Sequence, residues 1–227
     1  MGCTLRITSR DGERTLDFAP SALVIAGWAG RDREAMEHHI AELEALGVPR
    51  PKETPTFYRV SAARLTTAPT MEAIGEASSG EVEPAIFAHG GALYVGVGSD
   101  HTDREAETHG VALSKQMCDK PVASEVWPFE EVADHWDSLI LRSWIVENGE
   151  KVLYQQGPMT GLLDPRDTIA RFAGDAGLPD GTAMLCGTMP AIGGIRPSGT
   201  FVAEIEDPVL SRRITFQYEI VTLPIAG

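Results

Sequence analysis

The chain has 227 residues, 43% hydrophobic and 23% charged, the make-up of an ordinary globular protein with a well-buried core. Its formal net charge of −14 argues against a nucleic-acid or anionic-membrane partner, and no apolar run reaches transmembrane length. Cys3, Cys118 and Cys186 are widely spaced and odd in number, so neither a disulfide framework nor a Cys-x-x-Cys metal site is indicated, and a reduced cytoplasm is expected.

In chain order, residues 4–8 and 14–18 flank Asp11-Gly12, a hairpin signal, so residues 1–20 are expected to form an N-terminal β-hairpin appendage. Residues 23–26 read as a buried strand that leaves through the glycine-rich turn 27–30. Asp32 is placed to cap a helix with Met36, Ile40 and Leu43 on one stripe, ending at Gly47. A loop over 49–55 leads to a strand at 57–60. Two β-prone runs around Gly90-Gly91 make a central hairpin, and residues 139–146 and 151–154 make a third around Asn148-Gly149. Asp164 and Pro165 open a second helix as cap and first residue, with Ile169, Phe172, Ala173 and Ala176 on its stripe and Gly177 closing it. Residues 184–186, 201–205 and 214–221 are the last strands. With no repeat or linker, the expectation is a single domain over 1–227, α+β and mainly β.

The central hairpin carries the strongest chemical signal. If Gly90 and Gly91 form the turn, residues pair when their numbers sum to 181, so Phe87 faces Tyr94, Glu83 faces Gly98 and Glu81 faces Asp100. Side chains alternate along a strand, which puts Glu81, Glu83 and Asp100 on one face. Gly96 and Gly98 are expected to leave that face uncovered. Three carboxylates so close repel unless a cation sits among them, and an all-oxygen set suits Mg²⁺, Mn²⁺ or Ca²⁺ better than zinc.

Other groups are weaker alone. His39 and Glu42 are three apart on a predicted helix, an arrangement that orients an imidazole as a base, although His38 is an equal candidate and surface pairs of this kind are common. Lys115 either stabilises an oxyanion or snorkels, and spacing alone favours snorkelling. The loop 187–194 offers backbone amides and the Thr188 hydroxyl to a substrate carboxylate. Gly96-Val-Gly98 is rejected as a dinucleotide fingerprint because His101 stands where the third glycine belongs. Asp100, His101, Asp103 and His109 lack the usual ligand spacing for zinc.

The order of these pieces resembles the fumarylacetoacetate hydrolase superfamily, in a divergent bacterial branch (DUF2848-like). Glu81 and Glu83 match that family's Glu-x-Glu metal pair, and Asp100-His-Thr-Asp-Arg104-Glu105 resembles its Asp-x-Ser/Thr-x-Arg-Asp motif, with Glu105 in place of the last Asp. Lys115 matches the downstream lysine, His39 and Glu42 the His-x-x-Glu lid motif, and Gly187-Thr188 its Gly-Thr-Pro loop, here with Met189 inserted. The resemblance implies a mixed β-sandwich roll with a few peripheral helices, usually a homodimer. It also implies Mg²⁺, or Mn²⁺ or Ca²⁺, on Glu81, Glu83 and Asp100, catalysis by His39, Glu42 and Lys115, and substrate contacts from Arg104, Gly187 and Thr188. The implied activity is hydrolytic C–C cleavage of a 2-oxo or β-diketo acid through a metal-stabilised enolate. Decarboxylation, tautomerisation, hydration and a non-catalytic, metal-stabilised binding role are the alternatives.

Overall fold

The computed structural model describes residues 2–45 and 50–226; in the helix Arg33–Ala45 the side chains of Ala35, His39, Glu42, Leu43 and Ala45 are outside the described set. Two sheets dominate. The larger has eight strands in the spatial order Gly12–Phe18, Cys3–Ser9, Glu125–Pro128, Ala92–Ser99, Val82–His89, Thr182–Leu185, Ala22–Gly27 and Thr56–Val60. The smaller has five, in the order Glu150–Pro158, Ile140–Glu147, Thr200–Asp207, Arg212–Leu223 and Thr70–Ile74. The expected mainly β, α+β architecture is the one observed.

Alternation explains how the large sheet is buried on both faces. Val24, Ile86, Val95, Val97 and Met184 point to a core shared with Leu141, Ile145, Phe201, Ala203 and Ile205 of the small sheet. Leu23, Ile25, Ala85, Phe87 and Leu185 point the other way, to a second core with Leu5, Ile7 and Phe18 of the N-terminal hairpin. Phe18 lies on the edge strand, four strands from Phe87, yet the two rings meet edge-on at 5.3 Å. Only a strongly curled sheet brings those strands together, so the sandwich is also a roll. The N-terminal hairpin is built into this sheet through parallel pairing of Arg6 and Ile7 with Glu125 and Val126.

Turn chemistry places the hairpins. Gly90 and Gly91 have φ of 61° and 75°, and Asn148 and Gly149 have φ of 52° and 82°, the left-handed conformations that a two-residue hairpin with the native twist requires. Asp180 accepts both Gly90 and Gly91 amides, at 3.0 and 3.2 Å, and ties the central turn to the loop before Thr182–Leu185. In the first hairpin Ser9 pairs with Gly12, so the turn falls on Arg10 and Asp11, one residue before the expected pair.

Asp32 caps the first long helix by accepting the Glu34 amide at 3.0 Å; its expected end at Gly47 lies outside the described residues. Asp164 caps the helix Pro165–Ala173, accepting the Arg166 amide at 2.8 Å. That helix stops three residues before the expected Gly177, because Gly174 turns left-handed at φ 62°. Within the two large sheets, two strands have no counterpart among the sequence-based expectations, Thr70–Ile74 and Glu125–Pro128. Both are short, and the second pairs with each neighbour over only two residues.

Candidate metal centre

The register that sums to 181 runs the length of the central hairpin: Glu83 pairs with Gly98 and Phe87 with Tyr94. It continues one step further, where the Asp100 amide donates to Glu81 O at 3.0 Å. Ligand oxygens of Glu81, Glu83 and Asp100 therefore gather within 4.8 Å of one another, and the three form a group able to hold a metal ion. The glycines opposite are not open space. A Cβ on Gly98 would lie 2.9 Å from Leu185 and Val122, and one on Gly96 would lie 3.1 Å from Glu125 O. Neighbouring strands fill that face, so the glycines admit close packing behind the carboxylates instead of leaving a channel to them.

The three acids sit in different surroundings. Asp100 is fully buried and Glu83 nearly so, whereas the Glu81 side chain is 18% exposed. Burial, reinforced by the Asp100 and Glu81 charges, pushes Glu83 well above the ordinary carboxylate range despite Lys115 and the Gly187 amide, which donates to Glu83 Oε2 at 2.8 Å. Among the described residues Glu83 has no ion-pair partner. Burial also opposes the Asp100 charge, but Lys115 and Lys120 outweigh it and hold its carboxyl below the usual range.

Lys115, on the short helix Val111–Met117, points into this cluster and is buried; it does not snorkel. Its ammonium donates to Asp100 Oδ2, lies 4.0 Å from Glu81 Oε2 and stands 5.7 Å from the centre of the Tyr58 ring. Burial opposes its charge, and Asp100 and Glu81 more than offset that, so its pKa is raised. Arg104 donates to Ser79 Oγ at 2.7 Å and Glu107 Oε2 at 3.0 Å, and pairs with Glu81 Oε1 at 3.1 Å.

The glycine-rich loop after Thr182–Leu185 joins the cluster from the neighbouring strand. Besides the Gly187 contact, Thr188 Oγ1 donates to Val82 O at 2.8 Å and accepts from Gln155 Nε2 at 2.9 Å. Gln155 also accepts the Val82 amide at 3.0 Å and donates to Met189 O at 2.6 Å. The inserted Met189 packs where Gly157 has no side chain to block it. Below the cluster, Ser99 Oγ accepts the Glu81 amide at 3.2 Å and meets Tyr218 Oη at 2.8 Å, which in turn meets His101 Nδ1 at 2.9 Å.

Glu81, Glu83, Asp100, Lys115, Arg104, Gly187 and Thr188 are thus brought together. His39 and Glu42 belong to the helix Arg33–Ala45, and their side chains lie outside the described residues. Asp103 caps the short helix Arg104–Glu107 and His101 packs on Tyr218, so the weak zinc set is not assembled. Lys120 and Gln155, both buried in this network, carried no signal in the sequence. A divalent ion fits the residues present: the donors are hard oxygens, Glu83 has like-charged neighbours, and Asp100 Oδ1 is buried with no hydrogen-bond partner.

The family model described as "Protein of unknown function (DUF2848)" matches residues 26–218. The chain belongs to the DUF2848 family. No curated protein matches it significantly. Among solved structures, Cg1458 aligns with a TM-score of 0.68 and 14% identity, over 98% of the DUF2848 chain and 100% of its own. The 2-keto-3-deoxy-D-arabinonate dehydratase complexed with magnesium and 2,5-dioxopentanoate aligns at 0.65 and 15% identity, over 95% and 78%. Yeast ynq8, a fumarylacetoacetate hydrolase family protein, aligns at 0.63 and 16%, over 91% and 95%. At such identities the likeness is one of fold, and this DUF2848 protein has the fumarylacetoacetate hydrolase-like fold that its motifs imply.

Proposed function

We propose that this DUF2848 protein is a divalent-metal-dependent hydrolase that cleaves a C–C bond in a small 2-oxo or β-diketo acid of the acylpyruvate type. The observation that carries the reading is the Glu81, Glu83 and Asp100 cluster with the Lys115 ammonium held against it. The fold neighbour complexed with magnesium and 2,5-dioxopentanoate supports the ligand class. A Mg²⁺ ion bound there, or Mn²⁺ or Ca²⁺ in its place, supplies Lewis-acid polarisation of a substrate carbonyl.

Cleavage by water leaves the electron pair of the broken C–C bond on the carbon beside a carbonyl, as an enolate. Lys115 is a buried positive charge held against two of the three carboxylates, and it stabilises that developing oxyanion. His39, oriented by Glu42, takes the proton from the attacking water. Arg104 and Gly187 already commit polar groups to Glu81 and Glu83, so they act on substrate chiefly by fixing ligand carboxylates, while Thr188 holds the Val82 carbonyl between those two glutamates. Cytoplasmic residence, expected from the cysteine pattern, and a homodimer, implied by the family resemblance, belong to the same reading.

A panel of acylpyruvates and oxaloacetate, assayed with Mg²⁺ or Mn²⁺ and again with EDTA, tests this. The expected outcome is metal-dependent hydrolysis of an acylpyruvate that falls about 100-fold or more in Glu83→Gln and in His39→Ala. Oxaloacetate decarboxylation that survives His39→Ala, with no diketone hydrolysis, would overturn the hydrolase assignment. No turnover of any member would argue for a binding protein.

A further inference from the structure

The proposed mechanism leaves one buried cation without a role. Lys120 has no exposed surface, and its ammonium donates to His101 O, Lys115 O and, at 3.2 Å, Cys118 O. An ammonium has three N–H groups, so all three are committed to backbone carbonyls. One carbonyl belongs to the turn that follows Asp100. The other two belong to the end of the helix Val111–Met117, where the last carbonyls lack partners within the helix. A single side chain thus ties the turn carrying Asp100 to the helix carrying Lys115.

The same geometry sorts the two Asp100 oxygens. Oδ2 accepts from Lys115. Oδ1 lies 3.4 Å from Lys120 Nζ and has no hydrogen-bond partner. With its protons directed at carbonyls, Lys120 offers this oxygen charge and no hydrogen bond. We propose that Lys120 is a positioning residue for Asp100 as a metal ligand: it locks the Asp100 turn against the Lys115 helix and balances the carboxylate charge while leaving Oδ1 free for a divalent ion. The inference rests on reading the three carboxylates as a metal centre.

Mn²⁺ is the probe, titrated calorimetrically and by the electron paramagnetic resonance signal of the free ion. Wild type, Lys120→Met and Ile205→Ala are compared, the last being a core truncation away from the site. The expected result is Mn²⁺ affinity at least tenfold weaker in Lys120→Met, with Ile205→Ala melting lower but binding Mn²⁺ like wild type. A Lys120→Met protein that melts lower yet binds Mn²⁺ with wild-type affinity overturns the proposal and leaves Lys120 as a plain helix-end tie. Wild type that takes up no Mn²⁺ instead removes the metal centre itself. If Lys120→Met does not fold, ¹⁵N-lysine NMR on wild type carries the test, since the chain has only four lysines and Lys52 and Lys151 are exposed. A slowly exchanging Lys120 ammonium whose resonance moves on Mg²⁺ saturation supports the proposal, and one insensitive to Mg²⁺ contradicts it.

Discussion

Glu83 and Asp100 show how two carboxylates a few ångströms apart acquire opposite tendencies. Asp100 has Lys115 at one oxygen and Lys120 near the other, whereas Glu83 has a backbone amide and like-charged neighbours. Glu83→Gln can keep the Gly187 contact through its amide oxygen while losing the charge. We expect it to raise metal-free stability, measured by urea unfolding in EDTA, because it removes a carboxylate whose charge burial and its acidic neighbours oppose, while activity is lost. His101 gives the pH prediction. Burial, with the Lys120 and Arg104 charges, drives its imidazole down from 6.5 to about 3. The unfolded chain then binds the proton more readily, so stability falls as pH drops from about 6.5 toward 3. Urea unfolding at pH 7.5 and pH 5 should show a loss of about 1–2 kcal/mol in wild type that is reduced in His101→Gln. The metal triad was legible in the sequence because two glutamates two apart and one register step are local facts. Lys120 was not: Lys115 O and Cys118 O are local to it, but His101 O, 19 residues away, joins them only after the chain folds back on itself.

At the scale of elements, the central hairpin follows from its turn and its alternation, and the consequences are positional. Gly90→Asn should change stability by less than about 0.5 kcal/mol, since Asn accepts a left-handed conformation in this turn. Gly98→Ala should cost about 1–3 kcal/mol and weaken the metal response, because its methyl group meets Leu185 and Val122 directly behind Glu83. Thermal melts of both variants with and without Mg²⁺ check this pair. The sequence reading left Gly96 and Gly98 facing open space, since the residues that fill it come from Glu125–Pro128, from the segment before it and from Thr182–Leu185. Pairing between distant segments is what a single strand pattern does not contain. The same limit hid the role of Gly187, whose amide reaches Glu83 only because Thr182–Leu185 lies beside Val82–His89. Helix starts, set by Asp32 and Asp164, were read correctly because capping is local. The early stop at Gly174 was missed because Gly177 offered an equally good local signal.

For the whole molecule, the decisive feature is that the two sheets meet under the carboxylates. Tyr218 of the small sheet bridges Ser99 of the large one and His101 in the turn just beyond it, so the floor of the site is also a tie across the sandwich. Tyr218→Phe should cost about 1–3 kcal/mol in unfolding free energy by leaving buried polar groups unpaired. The proposed chemistry depends on Glu81, Glu83 and Asp100 binding a divalent cation. The most direct test is thermal melting of wild type and Glu83→Gln after EDTA treatment, followed by Mg²⁺ or Mn²⁺ add-back. Metal binding to the folded state alone should raise the wild-type melting temperature reversibly and leave Glu83→Gln unmoved. Equal shifts in both proteins, or none in either, would show that the carboxylates are not the metal site and would take the proposed chemistry with them.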